Sequence, residues 1–218
     1  MKKYTYVLLL LSLIYCSKET ETKSKIAKKD STLIIPNNSL KTSNSTFEQR
    51  TLSKEEIIQT LNNEILSTFK SKDYVKLANY IHPEKGVQFS MYAYINPKKD
   101  KQFSKEDFQK YVTTNIKFTW GEKDGTGDPL VLSLKNYIEE WIFRKDFSKG
   151  EYHLSSFKAS GNSMNNLRNI YPKLDFTENY IPGSEKYGGM DWNSLRFVFD
   201  QYQGQFYLVA IVNDSWTI

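Results

Sequence analysis

The chain has 218 residues, a formal net charge of +5, and a composition that is 39% hydrophobic and 15% aromatic. That is enough apolar material to build the core of one domain of ordinary size. The charge is too mild, and too free of basic stripes interleaved with aromatics, for a nucleic-acid binder. A single cysteine at position 16 leaves the rest of the chain without disulfides, thiolate-ligated zinc or a thiol nucleophile.

Lys2 and Lys3 precede an apolar run from Tyr6 to Tyr15. A membrane-spanning helix needs about 20 apolar residues, so this run is short for one and reads as an export signal over residues 1–15. Leu13-Ile14-Tyr15-Cys16 resembles the lipobox of a bacterial lipoprotein. That resemblance implies lipidation of Cys16 (palmitate among the acyl chains), an anchor in the bilayer, and residence in the bacterial cell envelope, at the outer membrane on its periplasmic or outer face. Residues 16–52 are rich in Lys, Ser, Thr, Asn and Glu and are expected to form a disordered tether. As a coil of about 30 residues it would reach roughly 30 Å.

A single α+β domain is expected over residues 53–218. Ser53-Lys54-Glu55-Glu56 is a capping box, and Ile57, Ile58, Leu61, Ile65, Leu66 and Phe69 follow at helical spacing. Lys72 and Asp73 open a shorter helix that Pro83 stops. Val87, Phe89 and Met91 alternate with polar residues, as in a half-buried strand. Ser104 caps a helix carrying Phe108, Tyr111 and Val112. Ile116, Phe118 and Trp120 alternate again, and the glycine-rich stretch Gly121–Pro129 is expected to connect that strand to a helix capped by Ser133. Residues 155–166 read as an exposed loop, 175–181 as a strand and 182–189 as a loop. Leu195–Tyr202 and Gln205–Asn213 flank a Gln203-Gly204 turn and predict a closing hairpin. In its second strand Tyr207, Val209 and Ile211 are expected on one face, and Leu208, Ala210 and Val212 on the other. Trp216 is expected to be buried.

Helices ending in Tyr80-Ile81-His82-Pro83, then a strand, further helices, and a final pair of strands over Ser194–Trp216 resemble the nuclear-transport-factor-two-like, cystatin-like superfamily. The resemblance implies a curved, mostly antiparallel sheet packed on N-terminal helices, cone-shaped around a pocket. It also implies a possible homodimer. The stretch from Trp120 to Pro129 is similar to a loop in uncharacterised bacterial proteins. The superfamily holds both enzymes and plain binding modules, so it supplies no activity.

Chemistry-bearing residues are sparse. Asp124 and Asp128 flank glycines that let a ligand approach the backbone, yet a hard cation would need more oxygen ligands; no metal or other cofactor is expected. His82 and His153 are the only histidines. His82 and Asp191 are the acid–base candidates, each with a bland alternative, a helix end for His82 and a turn for Asp191. Tyr92, Tyr94, Trp120 and Trp192, with Asp124 and Asp128, are the expected lining of a ligand cavity. The reading favours a lipid-anchored module that binds a small molecule, a cell-wall fragment or an envelope protein without catalysis. An acid–base enzyme and an assembly component are the alternatives.

Overall fold

The computed structural model describes residues 52–159 and 161–218. The expected leader, Cys16 and nearly all of the tether lie outside them. Helix α1 spans Lys54–Ser71, and Ser53 and Glu56 cap it reciprocally. Asp73 caps α2, Tyr74–Leu77, which tightens into a 3-10 turn over Ala78–Tyr80 before Pro83. Strand β1 is Val87–Ser90 and β2 is Lys101–Phe103. Ser104 caps α3, Lys105–Val112. Strands β3, Lys117–Glu122, and β4, Pro129–Ser133, form a separate two-stranded ribbon. Ser133 caps α4, Leu134–Tyr137, which runs into a π-helical turn over Ile138–Ile142. Then come β5, Glu151–Leu154, α5, Leu167–Ile170, and β6, Asp175–Ile181. Strands β7, Asn193–Tyr202, and β8, Gln205–Ser215, close the chain.

Six strands make one sheet in the order β2-β1-β8-β7-β6-β5. Only the β1–β8 pair is parallel. Its α+β class and mostly antiparallel pairing follow the expectation. The cone does not: the sheet is open and uncurled, and both of its faces are filled. On one face Ile58, Ile65, Leu66 and Phe69 of α1 meet Leu195, Phe197 and Phe199 of β7. On the other, Leu167 and its partly buried neighbours Ile170, Tyr171 and Leu174 cover Phe176, Val198, Ala210 and Val212. A large side chain fully buried in such a core contributes about 1.5–3 kcal/mol by transfer alone.

A polar bridge fixes how α1 lies on the sheet. Asn62 is fully buried; its Oδ1 accepts from Thr177 Oγ1 at 2.7 Å and Asn179 Nδ2 at 2.9 Å, while its Nδ2 donates to Asn179 Oδ1 at 3.0 Å. Buried amides without partners are costly, so sliding the helix along the sheet would break three bonds together.

Several expectations need correction. β1 is buried on both faces, because Gln88 and Ser90 pair beside Ala210 and Val212 under the second cover. The glycine-rich stretch joins two strands rather than a strand and a helix. The alternation in β8 breaks at a bulge: Val198 pairs with Ala210 and Phe199 with Leu208, which leaves Val209 as the extra residue. Leu208 and Ile211 consequently fall in the helix-side core, and Val209, Ala210 and Val212 in the other. Trp216 is 38% exposed, because the sheet ends at Ser215 and the tail leaves it.

The hairpin turn forms as read, with Gln203 at φ 49° and Gly204 at φ 80°, the left-handed pair that a two-residue hairpin demands. Gly86 is required for a second reason. Its φ is +67°, and a Cβ there would sit 2.1 Å from the Phe103 carbonyl oxygen.

Candidate functional site

Tyr92 and Tyr94 follow β1 in the segment that leads the chain off the sheet. The β3–β4 loop folds toward them. It closes on itself through Lys123 N–H to Asp128 C=O at 2.8 Å and Gly127 N–H to Lys123 C=O at 2.9 Å. The Asp124 N–H donates to Tyr92 Oη at 2.8 Å, which ties the loop to that segment. Between them opens a cleft of about 430 Å³, bordered also by Met164 and Thr217. Clefts of this size suit small ligands.

Three elements distant in sequence make this cleft. Asp124 Oδ2 accepts the Ile218 N–H at 2.6 Å. Asn162 Nδ2 donates to the Thr217 carbonyl at 3.2 Å, and the Ser163 and Thr217 hydroxyls lie 2.9 Å apart. The tail is thus held between the glycine loop and the 155–166 loop. Gly125 has φ +78°, and a Cβ there would lie 2.7 Å from Ile218 Cδ1. Tyr94 is 50% exposed and offers an open ring face. Tyr92 stands edge-on to Trp141 at 5.8 Å, and burial pushes its hydroxyl pKa up, so it remains a neutral hydrogen-bonding group.

Of the residues expected to line a cavity, Tyr92, Tyr94 and Asp124 meet here. Trp120 does not. A bulge between Thr119 and Gly121 turns it into the core, where it is 4% exposed and stacks on Tyr137 at 3.7 Å. Its indole N–H is satisfied by the Leu132 carbonyl at 3.0 Å. Asp128 is exposed and outside the cleft lining. Trp192 is 5% exposed and lines a different cleft, together with Asp191. Ser163, Met164 and Thr217 were missed, because nothing local in a polar loop or a tail says what it will face.

The acid–base candidates are used up by structure. His82 is 1% exposed. Its Nδ1 accepts from the Glu84 and Lys85 main-chain N–H groups at 3.2 and 3.0 Å, and Tyr202 and Tyr207 stand edge-on to its ring. Desolvation by burial lowers its pKa, against the opposing pull of Asp200, so the imidazole is held neutral. Asp191 Oδ1 accepts from Ser184 N–H at 2.6 Å and Oδ2 from Ser184 Oγ at 3.0 Å. Those bonds keep its carboxyl below the usual range. It closes the 182–191 loop, in which a Cβ on Gly183 would meet the Gly189 carbonyl oxygen at 2.0 Å. His153 sits on the edge strand β5, 3.6 Å from Glu151.

The His82 arrangement has a pH signature. Its folded pKa lies below that of the unfolded chain, so the unfolded state takes up the proton first and stability drops as pH falls from about 6.5 through the folded pKa. Urea midpoints measured between pH 7.5 and 5 are expected to decline in the wild type. In His82→Asn, whose Oδ1 can accept the same two N–H groups, they are expected to start lower and stay flatter. Equal slopes in the two proteins would show that His82 does not carry the effect.

Among the described residues, no group of three or more His, Cys, Asp or Glu side chains is placed to hold a metal ion, and no helix is long and apolar enough to cross a membrane. No family model matches the chain, and no curated protein does. Among solved structures, the chain is similar to a crystal structure described as a calcium/calmodulin dependent protein kinase II association domain from Xanthomonas campestris. The TM-score is 0.32 and the identity 9%, with 75% of this chain and 88% of that chain covered.

Proposed function

We propose that this chain is a lipid-anchored protein of the bacterial envelope, attached through Cys16, whose domain binds a cell-wall fragment without chemistry. The observation that supports binding is the convergence of Tyr92, Tyr94 and Asp124 with the glycine loop on one open cleft. Tyr94 supplies a stacking face for a sugar ring, and the loop backbone and Tyr92 supply polar contacts. Catalysis would call for two titratable groups in mutual reach within an apolar cavity. His82 and Asp191, the two residues of that kind singled out, are instead engaged with main-chain and serine groups away from the cleft.

The test has two arms. In a lipidating host the full-length protein is expected in the membrane fraction, with Cys16→Ala released to the aqueous phase; a wild type found wholly in the aqueous phase overturns the anchor. Soluble peptidoglycan fragments are expected to bind the wild type and to lose about tenfold in affinity with Tyr94→Ala. Tyr94 is half exposed, so its loss should leave Tm unchanged. Absence of binding overturns the binding reading, and consumption of the fragments during incubation overturns the non-catalytic one.

A further inference from the structure

On the other side of the tail, Ser215 and Trp216 line a second cleft of about 290 Å³, separate from the one around Tyr94. Its lining residues Arg144 and Lys145 come just after the π-helical turn Ile138–Ile142, where Phe143 N–H reaches back five residues to Ile138 C=O at 2.8 Å. Such wide turns recur at functional positions. Here the turn is followed directly by Arg144, whose guanidinium lies over the Trp141 ring at 5.3 Å. Arg144 has no carboxylate partner among the described residues, unlike Lys54, Lys70, Lys72, Lys85 and Arg196, which all have one. Lys145 beside it donates to the Asp191 main-chain carbonyl at 3.0 Å and forms no direct ion pair. The cleft's one carboxylate, Asp191, is bonded to Ser184. The cleft thus presents two cations with no direct ion pair.

A second, independent feature lies in the same cleft. Asn193, 5% exposed, is part of its lining. Its Nδ2 donates to Asp191 C=O at 2.9 Å, but its Oδ1 is buried and receives no hydrogen bond. A buried acceptor without a donor is a costly group to keep. Trp216, 38% exposed, supplies an aromatic face at the rim.

We infer that this cleft is a subsite for a carboxylated sugar. The fork of Arg144 matches a carboxylate in two parallel hydrogen bonds, Lys145 adds charge, and Trp216 stacks on the C–H face of the pyranose. Neutral sugars would forfeit the Arg144 contact and leave its charge unanswered. The assignment does not depend on what the Tyr94 cleft holds.

Full-length protein titrated calorimetrically with oligogalacturonate and oligomannuronate tests the assignment, with the carboxyl-reduced forms of the same oligosaccharides as controls. Binding of at least one acid form is expected, weakening as salt is raised. The reduced form should bind tenfold or more weakly. Arg144→Gln should lose tenfold or more at unchanged Tm, since its side chain is exposed, Trp216→Ala should lose tenfold or more when measured below its own Tm, and Arg144→Lys should retain part of the affinity. Tyr94→Ala should leave acid binding intact. Failure of both acids to bind overturns the subsite, as does equal affinity for acid and reduced forms or full affinity in Arg144→Gln.

Discussion

Arg196→Met is expected to lower the free energy of unfolding by about 3–5 kcal/mol, the cost of stranding buried charge by removing one partner. Arg196 has no solvent exposure, and on β7 it sits between Glu178 of β6 and Asp214 of β8. Its Nε donates to Glu178 Oε1 at 2.7 Å and its Nη2 to Asp214 Oδ2 at 2.8 Å. Glu178 also receives Ser194 Oγ at 2.8 Å and, on Oε2, the main-chain N–H groups of Lys158 and Ala159. The ring of Phe157 lies over the guanidinium, 5.0 Å from it. Desolvation pushes the Asp214 carboxyl up even with Arg196 beside it. Removing the guanidinium leaves two carboxylates facing one another in a dry layer. A loss of this size is a large share of the 5–15 kcal/mol that holds a typical domain folded. Adding Glu178→Gln to Arg196→Met should recover part of it, because one stranded charge disappears. Urea unfolding measures both; an unchanged midpoint in Arg196→Met would mean that the triad contributes nothing net.

Trp120→Ala should cost about 3–5 kcal/mol, the range for deleting a buried tryptophan. Its indole stacks on Tyr137 with planes 3° apart and meets Phe89 and Phe103 at 5.9 and 6.1 Å, so its removal opens a hole where the ribbon joins the main core. Tyr94→Ala, half exposed, should leave Tm nearly unchanged. The contrast separates packing from recognition. Should Trp120→Ala keep its Tm while ligand affinity falls, Trp120 lines a site after all.

How much of this was legible in the sequence depends on range. Ser53, Ser104 and Ser133 announce helix starts because a cap is made within one turn. Gln203-Gly204 announces its hairpin for the same reason. β4 was missed because Pro129-Leu130-Val131-Leu132 follows a glycine loop that reads equally well as a helix approach, and β5 because Glu151-Tyr152-His153 looks like a solvated edge. The bulge at Val209 is invisible in a run that is apolar on both faces. Glu178, Arg196 and Asp214 alternate along their strands as outward polar residues do. Only the cover laid down by residues 155–174 makes them interior, and that cover is polar enough to pass for a loop. The candidate cleft was half legible: Tyr92, Tyr94 and Asp124 share composition with any binding loop, while Trp120 and Trp192 have the same composition and are buried.

The way Glu178 holds the 155–166 loop bears on how this protein can diversify. Its carboxylate grips peptide N–H groups at positions 158 and 159, which every residue but proline carries. At positions 158 and 159 the mooring is therefore made through the backbone, while Phe157 before them adds its ring over Arg196. Mutations further along, at Met164 on the rim of the Tyr94 cleft, leave that backbone grip in place. Related chains could retune what they recognise while inheriting an unaltered foundation beneath it.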